Sequence, residues 1–160
     1  MRVWLASKSA RRADMLAQIF PHLTSHGIES VDESSTSSVV SGQVLEICQK
    51  KAAAVNLEND YELIVVSDTM IQDPDVDVQA MGKANDAIEA AAMLHRLAGR
   101  RHRVWTATGI WYNSKWEFHL NEAIVEVDNL SDEALVELIL NNSWVGKAGA
   151  YDLAGHMKQY

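Results

Sequence analysis

Leu63-Ile64-Val65-Val66-Ser67-Asp68-Thr69 is the stretch that decides the fold. Four apolar residues without polar alternation suit a strand buried on both faces, as in the centre of an α/β sheet. Ser67, Asp68 and Thr69 then fall at its carboxyl end on this reading. Ligands of open α/β sheets bind outside the strand ends, so a carboxylate there is placed to activate water or hold a metal. The alternative is that Asp68 caps a turn, a common use of aspartate. The strand by itself leaves both open.

Upstream, Val3 to Ala6 reads as a first strand. Ser7-Lys8-Ser9-Ala10-Arg11-Arg12 then leads into an amphipathic helix with Leu16, Ile19 and Phe20 on one face, ended by Pro21. Unpaired amides at the start of a helix, two serines and two arginines form a ready anion site. An ordinary serine cap with solvated arginines accounts for the same residues. No glycine-rich phosphate fingerprint is present, which excludes a P-loop or a Rossmann turn. A strand is expected around Ser25 to Ser30, followed by Val31-Asp32-Glu33 and a polar loop, Ser34 to Ser38, expected to be mobile. Val40, Val44, Ile47 and Val55 recur at helical spacing, which predicts a helix from about Gly42 to Asn56. Lys50 and Lys51 lie on or beside its polar face. One is free to be solvated while the other points at phosphate.

Downstream, Asp73-Pro74-Asp75-Val76-Asp77-Val78 is not an EF-hand, because Val78 stands where the loop needs glycine and the closing glutamate is missing. Nor does a hydrophobic strand precede Asp75, as a dehalogenase-type nucleophile would require. A solvated hairpin loop is expected. Asn85 is the expected cap of a helix carrying Ile88, Ala91, Leu94 and Ala98 and ended by Gly99. His102 opens a strand through Ile110, Asn113-Ser114 turns it, and Trp116, Phe118 and Leu120 share a face of the return strand. The alternation resumes out of step at Ala123, which predicts a bulge near Asn121 and Glu122. Ser131-Asp132-Glu133 starts a further helix, and a glycine-spaced segment from Trp144 to Gly155 carries Lys147 and Tyr151. The six histidines show no metal-site spacing.

Composition narrows the partners. With 48% hydrophobic and 22% charged residues, the 160-residue chain has the make-up of an ordinary globular protein with one good core. A formal net charge of -8 argues against a broad nucleic-acid-binding face. Its positive charge is nonetheless clustered at Arg11-Arg12, Lys50-Lys51 and Arg100-Arg101, enough for a local phosphate pocket or simply for solvated surface. The single cysteine, Cys48, fits a reducing compartment, and neither a signal peptide nor a membrane span is expected. A cytoplasmic protein is the reading.

In order along nearly the whole chain, these pieces resemble the Maf family of nucleoside triphosphate pyrophosphatases. The family opening Leu-Ala-Ser-x-Ser-Pro-Arg-Arg appears as Leu5 to Arg12, its Val-Asp-Glu as Val31-Asp32-Glu33, and its Lys-Ala as Lys51-Ala52. The core Asp-Thr is Asp68-Thr69, and Gly-Lys-Pro is Gly82-Lys83-Ala84. The Gly-Arg-x-His-x-Val strand entry is Gly99 to Val104, and Lys-Ala-Gly-Ala-Tyr is Lys147 to Tyr151.

The resemblance implies an α/β fold, a mixed β-sheet flanked by helices, related to the inosine triphosphatases and two-lobed, with substrate between the lobes. It also implies a single Maf-like domain over residues 1–160, truncated at the C-terminus relative to the family. The implied reaction converts a nucleoside triphosphate, dTTP or UTP by the match at Arg12 and Thr69, to the monophosphate and pyrophosphate with Mg or Mn. Asp68 would be the general base, and Glu33 with Asp68 would hold the metal. Arg11, Arg12, Lys51 and Lys83 would grip the triphosphate, with Ser7, Ser9 and Thr69 adding contacts. A catalytically weak or inactive nucleotide-binding regulator, linked to septum formation or cell-division arrest, is the other reading.

Three departures bear on this. Ala10 and Ala84 replace family prolines, and Ala154 stands where the family has a glutamine associated with substrate choice. Family members also continue past the position of Tyr160 with a strand and a helix. Either a homodimer covering that region or a chain of reduced stability and activity is therefore expected, with the dimer favoured.

Overall fold

The computed structural model describes residues 1–57 and 60–160. Among the described residues, six strands form one mixed sheet in the order β2-β1-β3-β5-β6, with β4 paired to β3, and four α-helices accompany it. This is the expected mixed α/β architecture. The chain divides into two compact units, residues 1–69 with 106–121 and residues 70–105 with 122–160.

In the first unit, β1 (Val3–Leu5) pairs in parallel with β2 (Thr24–Ser25) and with β3 (Leu63–Gln72), Trp4 standing opposite Thr24 and Ile64. The expected second strand shrinks to two residues. The His26 amide still donates to the Leu5 carbonyl at 3.2 Å, while its own carbonyl accepts the Trp4 indole N–H at 3.1 Å and its ring stacks on the same indole. Helix α1 (Ala10–Ala17) is shorter than its apolar pattern implied, since the chain tightens where the amides of Ile19 and Phe20 both bond the Leu16 carbonyl; Ile19 is exposed. Helix α2 (Val40–Ala53) buries Val40, Val44, Ile47 and Cys48. The Cys48 thiol lies 3.9 Å from the Val66 carbonyl, which sets that helix on β3. Each buried aliphatic stabilises this unit by about 1.5–3 kcal/mol.

β3 does not end at Val66. It runs on to Gln72, because Met70 and Ile71 continue the apolar run and β4 (Ala80–Met81) returns antiparallel, with Ile71 opposite Met81. Ser67, Asp68 and Thr69 therefore lie inside a strand, not beyond its end.

In the second unit, the 73–79 connection is the expected hairpin, but it is not uniformly solvated. Asp73 is buried, receives the Arg96 guanidinium, and accepts the Asp75 amide at 2.8 Å. Helix α3 (Ala87–Leu97) is capped by Asp86, whose side chain accepts from the Glu89 amide; Asn85 instead bonds the Glu89 carboxylate. Ala90, Leu94 and Leu97 face the core, while Ile88 is 82% exposed. Gly99, at φ +68°, carries the chain into β5 (Arg101–Tyr112). Asn113 and Ser114 both take positive φ, the conformation of a tight hairpin turn, and lead into β6 (Lys115–Glu126). Ser131 caps α4 (Asp132–Leu140), as its sequence predicts, and a 3₁₀ turn spans His156–Gln159.

Candidate active site

The first unit gathers Ser7, Ser9, Arg11, Arg12, Glu33, Lys51, Asp68 and Thr69. β1 delivers Ser7, and Ser9 caps α1, its hydroxyl accepting the Arg12 amide at 3.4 Å. The Ser9 amide in turn donates to Ser7 Oγ at 3.2 Å. Arg11 and Arg12 thus occupy the first turn of a helix with no acid there to balance its positive end. Cations at that end are repelled by the macrodipole. An arriving anion relieves the conflict, so the arrangement favours the anion-site reading over a plain cap.

Arg12 is pinned rather than solvated. It donates to the Ser67 carbonyl at 3.0 Å, to Thr69 Oγ1 at 3.0 Å and to Ser7 Oγ at 3.4 Å. Burial lowers its pKa and the nearby Asp68 charge opposes that fall. Thr69 is held from the other side by Thr106, with the hydroxyl oxygens 3.1 Å apart. Thr106 is a member of this network that the sequence did not single out, and a polar residue in an alternating strand was its one signal. Arg11 is exposed on α1.

Both lysines are paired with acids, but on different partners. Lys50 bonds Asp32 at 2.9 Å and the Ser34 carbonyl at 2.8 Å. Lys51 turns to Asp68 Oδ1 at 2.7 Å and to Glu33 Oε1 at 2.9 Å. Burial alone would depress the Lys51 pKa, but the hydrogen bond and charge of Asp68, then of Glu33, outweigh it and raise the value. Asp68 caps no turn. Its side chain, like that of Lys51, is 15% exposed, whereas Glu33 is 61% exposed, so the Asp68 bond is the better shielded of the two. Cys48 below is inert, its thiol pushed up to about 11 by burial and by the Asp68 charge.

The loop expected to be mobile is tied down. Glu46 accepts from Ser35 Oγ at 2.6 Å and from the Thr36 amide at 3.1 Å, while Asp32 accepts from the Ser34 amide at 2.9 Å. These bonds hold the segment carrying Glu33 to α2. Nothing local in the sequence pairs Glu46 with Ser35.

As to a divalent cation, Glu33 and Asp68 converge on one positive atom, and two carboxylates are what Mg²⁺ usually takes from a protein, with phosphates and water completing its shell. Among the described residues there is no group of three or more acidic, His or Cys side chains that would hold a metal unaided. The donor set fits a metal brought in with a polyphosphate.

Lys83 and Ala154 belong to the second unit. Lys83 is exposed and forms an isolated antiparallel bridge with Ala148. Ala154 is exposed, its amide bonded to Asp152 Oδ1 at 3.0 Å.

Together these define an α/β protein with a carboxylate and cation site suited to a phosphate-rich anion. The fold is shared with the Ham1 protein of Staphylococcus aureus, whose structure superposes with a TM-score of 0.51 at 14% identity over 79% of this chain and 72% of that one. The chain belongs to the family described as Maf-like protein, which matches residues 2–160. Relatives named dTTP/UTP pyrophosphatase include that of Pyrococcus abyssi, 32% identical over 95% of this chain and 79% of its own length. That of Pyrococcus horikoshii is 33% identical over 98% and 81%, and that of Bacillus velezensis 30% over 96% and 80%.

Proposed function

We infer that the chain is a nucleoside triphosphate pyrophosphatase, cleaving its substrate to a nucleoside monophosphate and pyrophosphate. The observation that carries this is the Lys51 ammonium shared by Asp68 and Glu33 beside the pinned Arg12, in a chain of the Maf-like family. Asp68 takes a proton from water, the water oxygen bonds to the α-phosphorus, and the bond to the bridging oxygen breaks so that pyrophosphate leaves. Arg12 and Lys51 offset the charge that grows on the leaving group, with Arg11 and the Ser7 and Ser9 hydroxyls positioning it. Lys83 is assigned to phosphate on its Gly82-Lys83 motif. A magnesium or manganese ion held by Glu33 and Asp68 would supply further charge neutralisation.

The preferred bases are those of dTTP and UTP. The names of the relatives and the Arg12-Thr69 pair support this. Ala154 offers no amide to the base, so discrimination is weaker than in a glutamine-bearing relative. No described helix is long and apolar enough to cross a membrane, and a nucleotide-pool substrate with a lone cysteine supports a cytoplasmic setting. β6 ends the sheet order and leaves Leu120 and Ile124 exposed, which supports a homodimer through that edge. The test of the reaction is the stoichiometric release of pyrophosphate and monophosphate from dTTP or UTP with magnesium, and orthophosphate as first product would exclude it.

A further inference from the structure

His102 enters the second unit on β5 as a buried side chain, 4% exposed, inside a strand-entry motif to which the reaction above gives no task. Its Nε2 lies 2.7 Å from Tyr151 Oη, and the two rings meet edge to face at 77°. Its Nδ1 is the one buried side-chain nitrogen or oxygen without a hydrogen-bond partner among the described residues. Orphaned N–H groups are rarer in interiors than underused acceptors. The proton therefore belongs on Nε2, donated to Tyr151. Burial pushes the His102 pKa down to about 4, which keeps the ring neutral at pH 7.

Tyr151 closes a segment that the backbone alone would not hold. Ala150 takes φ +61°, a left-handed conformation that a residue with a Cβ keeps only when its surroundings impose it. Gly149, at φ +64°, is packed so closely that a Cβ there would fall 2.8 Å from Ile71 Cδ1. Immediately before these residues, the Gly149 amide donates to the Gly82 carbonyl at 2.9 Å and Ala148 bridges Lys83. Lys147 is tied to Asp152 at 3.0 Å. The Tyr151 hydroxyl on His102 ties the segment to β5.

We propose that His102, acting through Tyr151, is a positioning residue that fixes the backbone carrying Lys83 and so sets that lysine's grip on the substrate's phosphates. This rests on the assignment of Lys83 to phosphate. Tyr151→Phe removes one hydroxyl and keeps the ring in the core, where Tyr151 is 6% exposed.

The test is a cycle of wild type, Tyr151→Phe, Lys83→Ala and the double variant, with KM and kcat measured on dTTP. The expected result is a KM raised about fivefold by Tyr151→Phe, the scale of one lost hydrogen bond, with kcat little changed. In the Lys83→Ala background the same change has no further effect. His102→Gln, whose amide can donate to Tyr151, should stay nearer to wild type than His102→Leu. Multiplicative effects of Tyr151→Phe and Lys83→Ala would overturn the proposal while leaving Lys83 in the site. An unaltered KM in Lys83→Ala would instead remove Lys83 from the site and the proposal with it, leaving the assignments of Asp68 and Lys51 intact.

Discussion

Lys51 Nζ lies 2.7 Å from Asp68 Oδ1, with both side chains 15% exposed, and the same ammonium reaches Glu33 at 2.9 Å. One cation thus holds two acids together. Removing it leaves a shielded carboxylate without its partner, which is costlier than losing the pair altogether. Lys51→Met is expected to lower unfolding free energy by about 2 kcal/mol, and adding Asp68→Asn should restore part of the loss. Denaturant midpoints of the three variants check this.

Asp68→Asn keeps the size of the side chain and removes the base proposed above. Turnover should fall by about a hundredfold or more while nucleotide binding persists, because Arg12 and its partners at Ser67 and Thr69 are untouched. Calorimetric titration with a non-hydrolysable triphosphate, run beside the rate measurement, separates the two effects. Undiminished turnover would remove Asp68 from the chemistry.

Glu33 and Glu46 act on the same loop in different ways. Glu33→Gln removes the metal donor proposed above and should raise the manganese concentration needed for half-maximal nucleotide-dependent binding, read by electron paramagnetic resonance. Glu46→Ala removes the acceptor and releases Ser35 and Thr36. Its mark should be faster proteolytic cutting within residues 34–38, with a smaller rise in the metal requirement.

Acid sensitivity has an identifiable source in His102, whose pKa falls from 6.5 to about 4 on burial. Between these values the unfolded chain binds a proton that the folded chain refuses. Its contribution is therefore full above pH 6.5 and is lost as the pH drops toward 4. Urea midpoints should fall between pH 7 and pH 5, and His102→Leu should show a smaller fall over that window.

Much of this site was legible because its signals are local. The hydroxyl before Ala10-Arg11-Arg12 marked the α1 cap, Ser131 marked that of α4, and Asn113-Ser114 marked a hairpin. The failures have physical causes. In the alanine-rich α3, two apolar rows interleave, and tertiary packing chose Ala90, Leu94 and Leu97 over the row containing Ile88. Asp73 looked like solvated turn until Arg96, 23 residues away, reached it. The end of β3 was placed too early because the strand partner that prolongs it, β4, is a two-residue element with no periodicity of its own. Thr106 and the Glu46 tether are long-range pairs, which no pattern along the chain encodes.

Product analysis over a panel of nucleoside triphosphates with magnesium or manganese tests the central claim most directly. Equal amounts of pyrophosphate and nucleoside monophosphate should appear, fastest from dTTP and UTP but with measurable turnover of other bases. Tight binding of these nucleotides with no pyrophosphate released would contradict the account and make the chain a nucleotide-binding protein without turnover.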